Sequence, residues 1–110
     1  MAGSVYLLAD DAREGIYKIG VTRGKIEKRI KKLQTGNSSP IHMVLSYETD
    51  YPFVMESMLH TKYGGNRVLN EWFEMTDDEV VNFRKACEEI QNTIDVLKTN
   101  YWFRKKHRID

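Results

Sequence analysis

The sequence predicts an α+β fold: a small antiparallel β-sheet of three main strands flanked by helices, with a long C-terminal helix. Three observations carry that expectation. Residues 4–9 and 15–21 are β-branched and aromatic runs separated by a short polar loop, as in a hairpin. Residues 25–35 carry an apolar stripe at helical spacing. Thr76-Asp77-Asp78-Glu79 matches a helix-initiating capping box just ahead of a longer stripe of the same period.

Taken in order, Ser4-Val5-Tyr6-Leu7-Leu8-Ala9 reads as the first strand. Asp10 to Gly15 is the loop, and Gly15-Ile16-Tyr17-Lys18-Ile19-Gly20-Val21 the second strand. Ile26, Ile30 and Leu33 recur at i, i+4 and i+7 and mark a helix that Gly36-Asn37 stops. Ile41 to Glu48 is the third strand, Phe53 to Tyr63 a second helix ended by Gly64-Gly65, and Glu71 to Met75 a short strand. In the last helix Val80, Phe83, Cys87, Ile90, Ile94 and Leu97 form the stripe, which is packing rather than chemistry. The expected organisation is a core over residues 1–76, with the helix and a basic, aromatic tail over 77–110 packed on the same domain.

A chain of 110 residues with 41% hydrophobic and 30% charged residues suits one compact soluble domain. No apolar run approaches the roughly 20 residues a membrane span needs, and the N-terminus lacks a signal-peptide pattern. A cytoplasmic location is therefore expected, with no membrane partner. Cys87 is the single cysteine, which excludes an internal disulfide and a cysteine-based zinc cluster. A buried small hydrophobe is its favoured reading, a reactive thiol the other. Net charge is only +1, but residues 1–47 carry eight Lys/Arg against four Asp/Glu, while residues 48–90 carry four against ten. The basic ends either build a phosphate-attracting face or are solvated surface.

Several polar residues must lie close to the core. With about 100° per residue along the first helix, Arg29 falls on the edge of the Ile26/Ile30/Leu33 face, whereas Lys25, Lys28, Lys31 and Lys32 point further away. A guanidinium held there either grips a phosphate through two parallel hydrogen bonds or forms a structural ion pair. On the second helix Glu56, His60 and Tyr63 fall at i, i+4 and i+7 beside apolar Met55 and Leu59. A carboxylate on such a boundary can hold a divalent metal through oxygen. His60 is read as a hydrogen-bonded structural residue more readily than as a ligand. Tyr6 and Lys18 occupy adjacent strands of the hairpin. The Tyr6 phenol would accept a proton from water only if nearby cations lowered its pKa from about 10, and Lys18 and Arg29 are candidates for that role.

These residues resemble the GIY-YIG nuclease superfamily, in particular its phage-type branch with a Tyr-Lys-Ile-Gly second motif. The matching pieces are Val5-Tyr6-Leu7, Tyr17-Lys18-Ile19-Gly20-Val21-Thr22, Arg29 in a basic helix, Glu56-Ser57-Met58-Leu59-His60, and Asn70-Glu71-Trp72-Phe73. The literal string Gly15-Ile16-Tyr17 abuts Lys18-Ile19-Gly20 and leaves no room for a hairpin between two motifs, so Tyr6 takes the first-motif position. Strand alternation then turns Tyr17 to the face opposite Lys18.

The resemblance implies a general base at Tyr6, acting directly or through water, and a scissile phosphate held by Arg29. It implies one Mg²⁺ or Mn²⁺ on Glu56, His60 assisting nearby, Asn70 orienting the site, and 5′-phosphate and 3′-hydroxyl products. Lys18 stands where many relatives carry tyrosine, and Ser4-Val5 replaces the nominal Gly-Ile. The implied partner is DNA, with RNA also open; Arg23, Lys25, Lys28 and Lys32 are candidate phosphate contacts.

Two other readings stay beside the endonuclease. One is a non-catalytic nucleic-acid-binding module on the same fold; the other is a protein-interaction module using the acidic 71–89 surface. The C-terminal helix is a possible homodimer face. Tyr101, Trp102 and Phe103, next to Arg104, Lys105, Lys106, His107 and Arg108, either stack on bases or pack against the domain.

Overall fold

Alternation along the first strand sorts the molecule into two faces. A computed structural model of the chain describes residues 2–110. Strand β1 (Gly3–Asp10) is central in the sheet, and its Val5, Tyr6, Leu7 and Leu8 are all fully buried. Successive side chains leave a strand on opposite sides, so Val5 and Leu7 face one layer and Tyr6 and Leu8 the other.

The sheet has five strands in the order β3-β1-β2-β5-β4, every neighbouring pair antiparallel. Strand β2 (Arg13–Thr22) returns against β1 with Tyr6 opposite Gly20 and Leu8 opposite Lys18. Strand β3 (Ile41–Thr49) pairs with the other edge of β1. Beyond β2 lies a small hairpin, β4 (Arg67–Leu69) and β5 (Trp72–Glu74), in which Trp72 stands opposite Lys18. The α+β class and the antiparallel sheet with flanking helices are therefore as the sequence predicts. The fourth strand is an addition: its three residues are all exposed, so no apolar alternation marked it.

The described residues also form five α-helices, α1 (Ile26–Thr35), α2 (Pro52–Lys62), α3 (Asp77–Val81), α4 (Phe83–Leu97) and α5 (Tyr101–His107), and a 3-10 turn at Gly64–Asn66. The core lies on the Val5/Leu7 side, where Ile19 and Phe73 of the sheet meet Met55 and Leu59 of α2 and Phe83, Cys87, Ile90 and Ile94 of α4. Cys87 is the buried hydrophobe, its thiol pushed up to about 12 by burial. The α4 stripe is absorbed by this core, so the apolar surface expected for a homodimer is turned inward.

Three local differences have identifiable causes. The capping box forms, Glu79 N donating to Thr76 Oγ1 at 3.2 Å and Thr76 N to Glu79 Oε1 at 2.9 Å. The helix it starts is nevertheless interrupted at Asn82, whose backbone (φ −91°, ψ 7°) departs from helical values while its side-chain amide and its backbone N–H both donate to Asp78 O, at 2.8 and 3.0 Å. The tail folds as α5, capped by Asn100, whose side-chain oxygen accepts from Phe103 N at 3.1 Å. Phe103 packs against the core, while Tyr101 and Trp102 are 65% and 70% exposed. Finally, α1 has no fully buried residue; Ile26, Ile30 and Leu33 point inward as predicted but stop half-buried. Among the described residues, no helix is long and apolar enough to cross a membrane.

Candidate active site

The site lies on the Tyr6 face, where β1, β2, α1, α2 and the β4–β5 turn converge. Tyr6 is fully buried, and the residue that lets it lie flat is Gly20 directly opposite: a Cβ there would overlap the Tyr6 ring and hydroxyl. The glycine ending the second motif is thus a seat for an aromatic ring. From α1, Arg29 Nε donates to Tyr6 Oη at 3.4 Å.

Lys18 follows on the same strand face, its side chain only 13% exposed, and its Nζ lies 3.3 Å from Glu71 Oε1. Tyr17 points to the other side and packs on the core, the alternation the sequence implied. Glu71 belongs to the turn before β5, and its carbonyl accepts from Ile19 N at 3.0 Å, one step beyond the last paired residue of β5. The remaining bond at this point of β2 is supplied by a side chain: His60 of α2 lies with Nε2 3.0 Å from Ile19 O. A carbonyl can only accept, so Nε2 carries the proton, and in the neutral ring Nδ1 keeps its lone pair. Phe73 steadies the imidazole at 5.1 Å between ring centroids.

Glu56, one helical turn before His60, completes the cluster. Ligand-capable atoms of Glu56, His60 and Glu71 lie within 4.8 Å of one another. Burial, and then the adjacent Glu71 carboxylate, push the Glu56 carboxyl up to about 7, against the opposing pull of Lys18 and Arg29. Two half-buried carboxylates facing each other in this way are a poor arrangement for the protein alone and a good one for a divalent cation. An imidazole whose other nitrogen is fixed on a backbone carbonyl is likewise a common ligand arrangement. The residues present therefore fit a divalent metal.

The electrostatics of Tyr6 differ from the sequence expectation. Burial raises its phenol above 10, and the negative charges of Glu71 and Glu56 add to the rise, outweighing the Arg29 hydrogen bond and charge. Arg29 is correspondingly held above its ordinary value, first by the bond to Tyr6. Neutralising the carboxylates would remove two of the influences raising the phenol while leaving Arg29 in place.

Of the residues singled out from the sequence, Tyr6, Lys18, Arg29, Glu56 and His60 come together. Asn70 takes a left-handed backbone (φ 52°) at the tip of the β4–β5 turn and is exposed, next to the cluster rather than in it. Glu71 was missed as a site residue although its motif was noted; its position opposite Ile19, at the end of the strand pairing with the second motif, was the available signal. Lys25, Lys28, Lys31 and Lys32 are exposed along α1. Arg23 is exposed too, with its guanidinium 4.9 Å from the Phe53 ring centroid.

Residues 3–90 match the T5orf172 domain, and the chain belongs to that family. It is a phage-associated domain found in some nuclease-type proteins. No curated protein and no solved structure matches the chain.

Proposed function

We propose that this T5orf172-domain protein is a metal-dependent endonuclease of the GIY-YIG type that hydrolyses DNA phosphodiester bonds. The observation that carries the reading is the meeting of Tyr6, Lys18, Arg29, His60 and the Glu56–Glu71 pair, contributed by four separate elements and a turn. Nucleic-acid binding alone needs positive charge; it has no use for two carboxylates pressed together at the centre of that charge.

In this mechanism Arg29 and Lys18 bind the non-bridging oxygens of the scissile phosphate and stabilise the charge that develops on them. Tyr6 Oη, as the phenolate paired with Arg29, accepts a proton from the attacking water, directly or through one water. The new bond is water oxygen to phosphorus, the P–O3′ bond breaks, and the 3′ oxygen departs and takes a proton from solvent, to which Tyr6 returns the one it accepted. The strand is left with 5′-phosphate and 3′-hydroxyl ends. Glu56, with His60 and Glu71 in reach, would hold one Mg²⁺ or Mn²⁺, which when bound supplies Lewis-acid stabilisation of the leaving oxygen. The mixed nitrogen and oxygen donor set suits Mn²⁺ better than Mg²⁺. The exposed lysines of α1 contribute diffuse attraction to the backbone.

A panel of linear, supercoiled, branched and single-stranded DNA with Mg²⁺ or Mn²⁺ tests this. Glu56→Gln is expected to lower cleavage by at least about 100-fold, an effect of about 2.7 kcal/mol on the barrier. Tyr6→Phe and EDTA should also abolish it, with gel-shift affinity largely kept. Wild-type protein that shifts DNA without cutting it would replace this reading with a non-catalytic binding module, with the Lys18–Glu71 ion pair closing the site. Neither cutting nor shifting would remove nucleic acid from the account.

A further inference from the structure

Beside the cluster, α1 stands off the sheet and leaves a cleft of about 300 Å³. Its walls include Leu8 from β1, Leu33 from α1, Ile41 from β3 and Trp72 from β5, and Lys18, Arg29 and Lys32 supply its charge. We infer that this cleft is a nucleobase pocket, so that the site acts on a strand whose bases are unpaired next to the phosphate it holds. The inference rests on the phosphate-binding reading of Lys18 and Arg29 and names the substrate class of that site.

Three features point to a base. Two of the three cations that line the cleft, Lys18 and Arg29, are those assigned to the scissile phosphate, so a group bound here is covalently close to that phosphate. The walls are apolar and carry one large aromatic ring, which suits the face of a heteroaromatic base more than a sugar or a free anion. Trp72 is also buttressed: Arg13, tied to Asp10 at 3.5 Å, lies 4.3 Å from its ring centroid. A ring braced in this way loses little freedom when a base stacks on it.

The cleft lies between α1 and the sheet. A base inside a duplex would have to leave its stack to enter, whereas an unpaired base enters without that cost. Single strands, flaps and branch points are therefore the preferred substrates. Lys32, at the same cleft, is placed for the next phosphate along.

The test uses Glu56→Gln protein without metal and single-stranded oligonucleotides carrying 2-aminopurine at each position in turn. One position should lose most of its fluorescence on binding, and Leu33→Trp, which fills the cleft, should abolish that response while the gel shift persists. Ile41→Trp, blocking the opposite wall, gives a second reading should Leu33→Trp fail to fold. In the active protein, an abasic residue at the responding position should slow cleavage about 10-fold, and unpairing that base in a duplex should accelerate it. A response at no position, or one unchanged by both filled variants, overturns the pocket. Equal cleavage of paired and unpaired strands overturns it while leaving the nuclease reading intact. If wild type cuts nothing, the nuclease reading falls, and the fluorescence, which needs no cutting, still decides the pocket.

Discussion

The two faces of the sheet are built for opposite ends. Under α2 and α4 the side chains are apolar and interlocked: Leu7, Ile19, Phe73, Met55, Leu59, Phe83 and Ile94 are all fully buried. Under α1 the helix buries no residue completely, a cleft remains open, and the polar groups crowd one another. On the first face nearly every contact lowers the free energy of the folded chain. On the second, a raised Glu56 carboxyl and a cation-bound Tyr6 hydroxyl are kept at some cost, as expected where sites depart from the rules that stabilise folds.

The largest effect that would sharpen this contrast is on the closed face. Phe83→Ala should destabilise the protein by about 3–5 kcal/mol, read from urea unfolding, because Phe83 is fully buried and stacks with Tyr63 at 6.0 Å. Activity per folded molecule should be nearly unchanged. A comparable loss from Leu33→Ala on the open face would break the contrast.

Gly20→Ala should do the reverse. The added methyl overlaps the Tyr6 ring, and an overpacked contact of this kind costs about 1–3 kcal/mol. The ring must shift from Gly20 and so disturb its bond to Arg29, and cleavage should fall by more than the lost stability accounts for. Equal losses in both measurements would show that Tyr6 is a packing residue only.

Much of the closed face was legible because burial leaves a period in the sequence. The stripe from Phe83 to Ile94 marked a helix and its buried face, and the apolar run around Val5 and Leu7 marked a strand. Site residues have no period, and Tyr6, Lys18, Arg29, Glu56 and His60 were found through motif order and helical phase. Glu71 escaped both, since its importance comes from strand register beyond a turn that local sequence does not specify. Strand β4, wholly exposed, and α5, held by the Asn100 cap and two apolar contacts, lacked a strong pattern for similar reasons. The depth of α1 was not legible because the angle of a stripe tells which way a helix faces, not how close it comes.

Glu56 gives a prediction in which site and stability pull apart. Its carboxyl is raised to about 7 in the folded protein, against about 4.3 in an unfolded chain. Protonation therefore favours the folded state, and the stabilisation present below about pH 4 is lost as pH rises to about 7. In EDTA, the melting temperature of Glu56→Gln relative to wild type should accordingly rise across that window and level off above it, while the variant loses cleavage. A gap independent of pH would show that the carboxyl is not perturbed.

Asp10 sits at the far end of the open face and should show the opposite sign, with a smaller effect. Its carboxylate accepts from Ala12 N at 2.8 Å, Ser39 Oγ at 2.5 Å and Asn37 Nδ2 at 3.2 Å, so it clips the β1–β2 turn to the loop following α1. The Ser39 and Ala12 hydrogen bonds, foremost among its contacts, hold the carboxyl down at about 2. An unfolded aspartate titrates near 3.9, so the contribution is complete above that value and disappears as pH falls from about 4 to about 2. Asp10→Asn should melt below wild type at neutral pH, and the gap should shrink to a small remainder at pH 2, where the folded carboxyl is half protonated. Because the clip anchors the Gly36–Asn37 wall of the cleft, the variant should also weaken the 2-aminopurine response. A melting gap undiminished from neutral pH to pH 2 would mean that the loop is held by shape and not by the charge, leaving the open face with no ionic clip at this end.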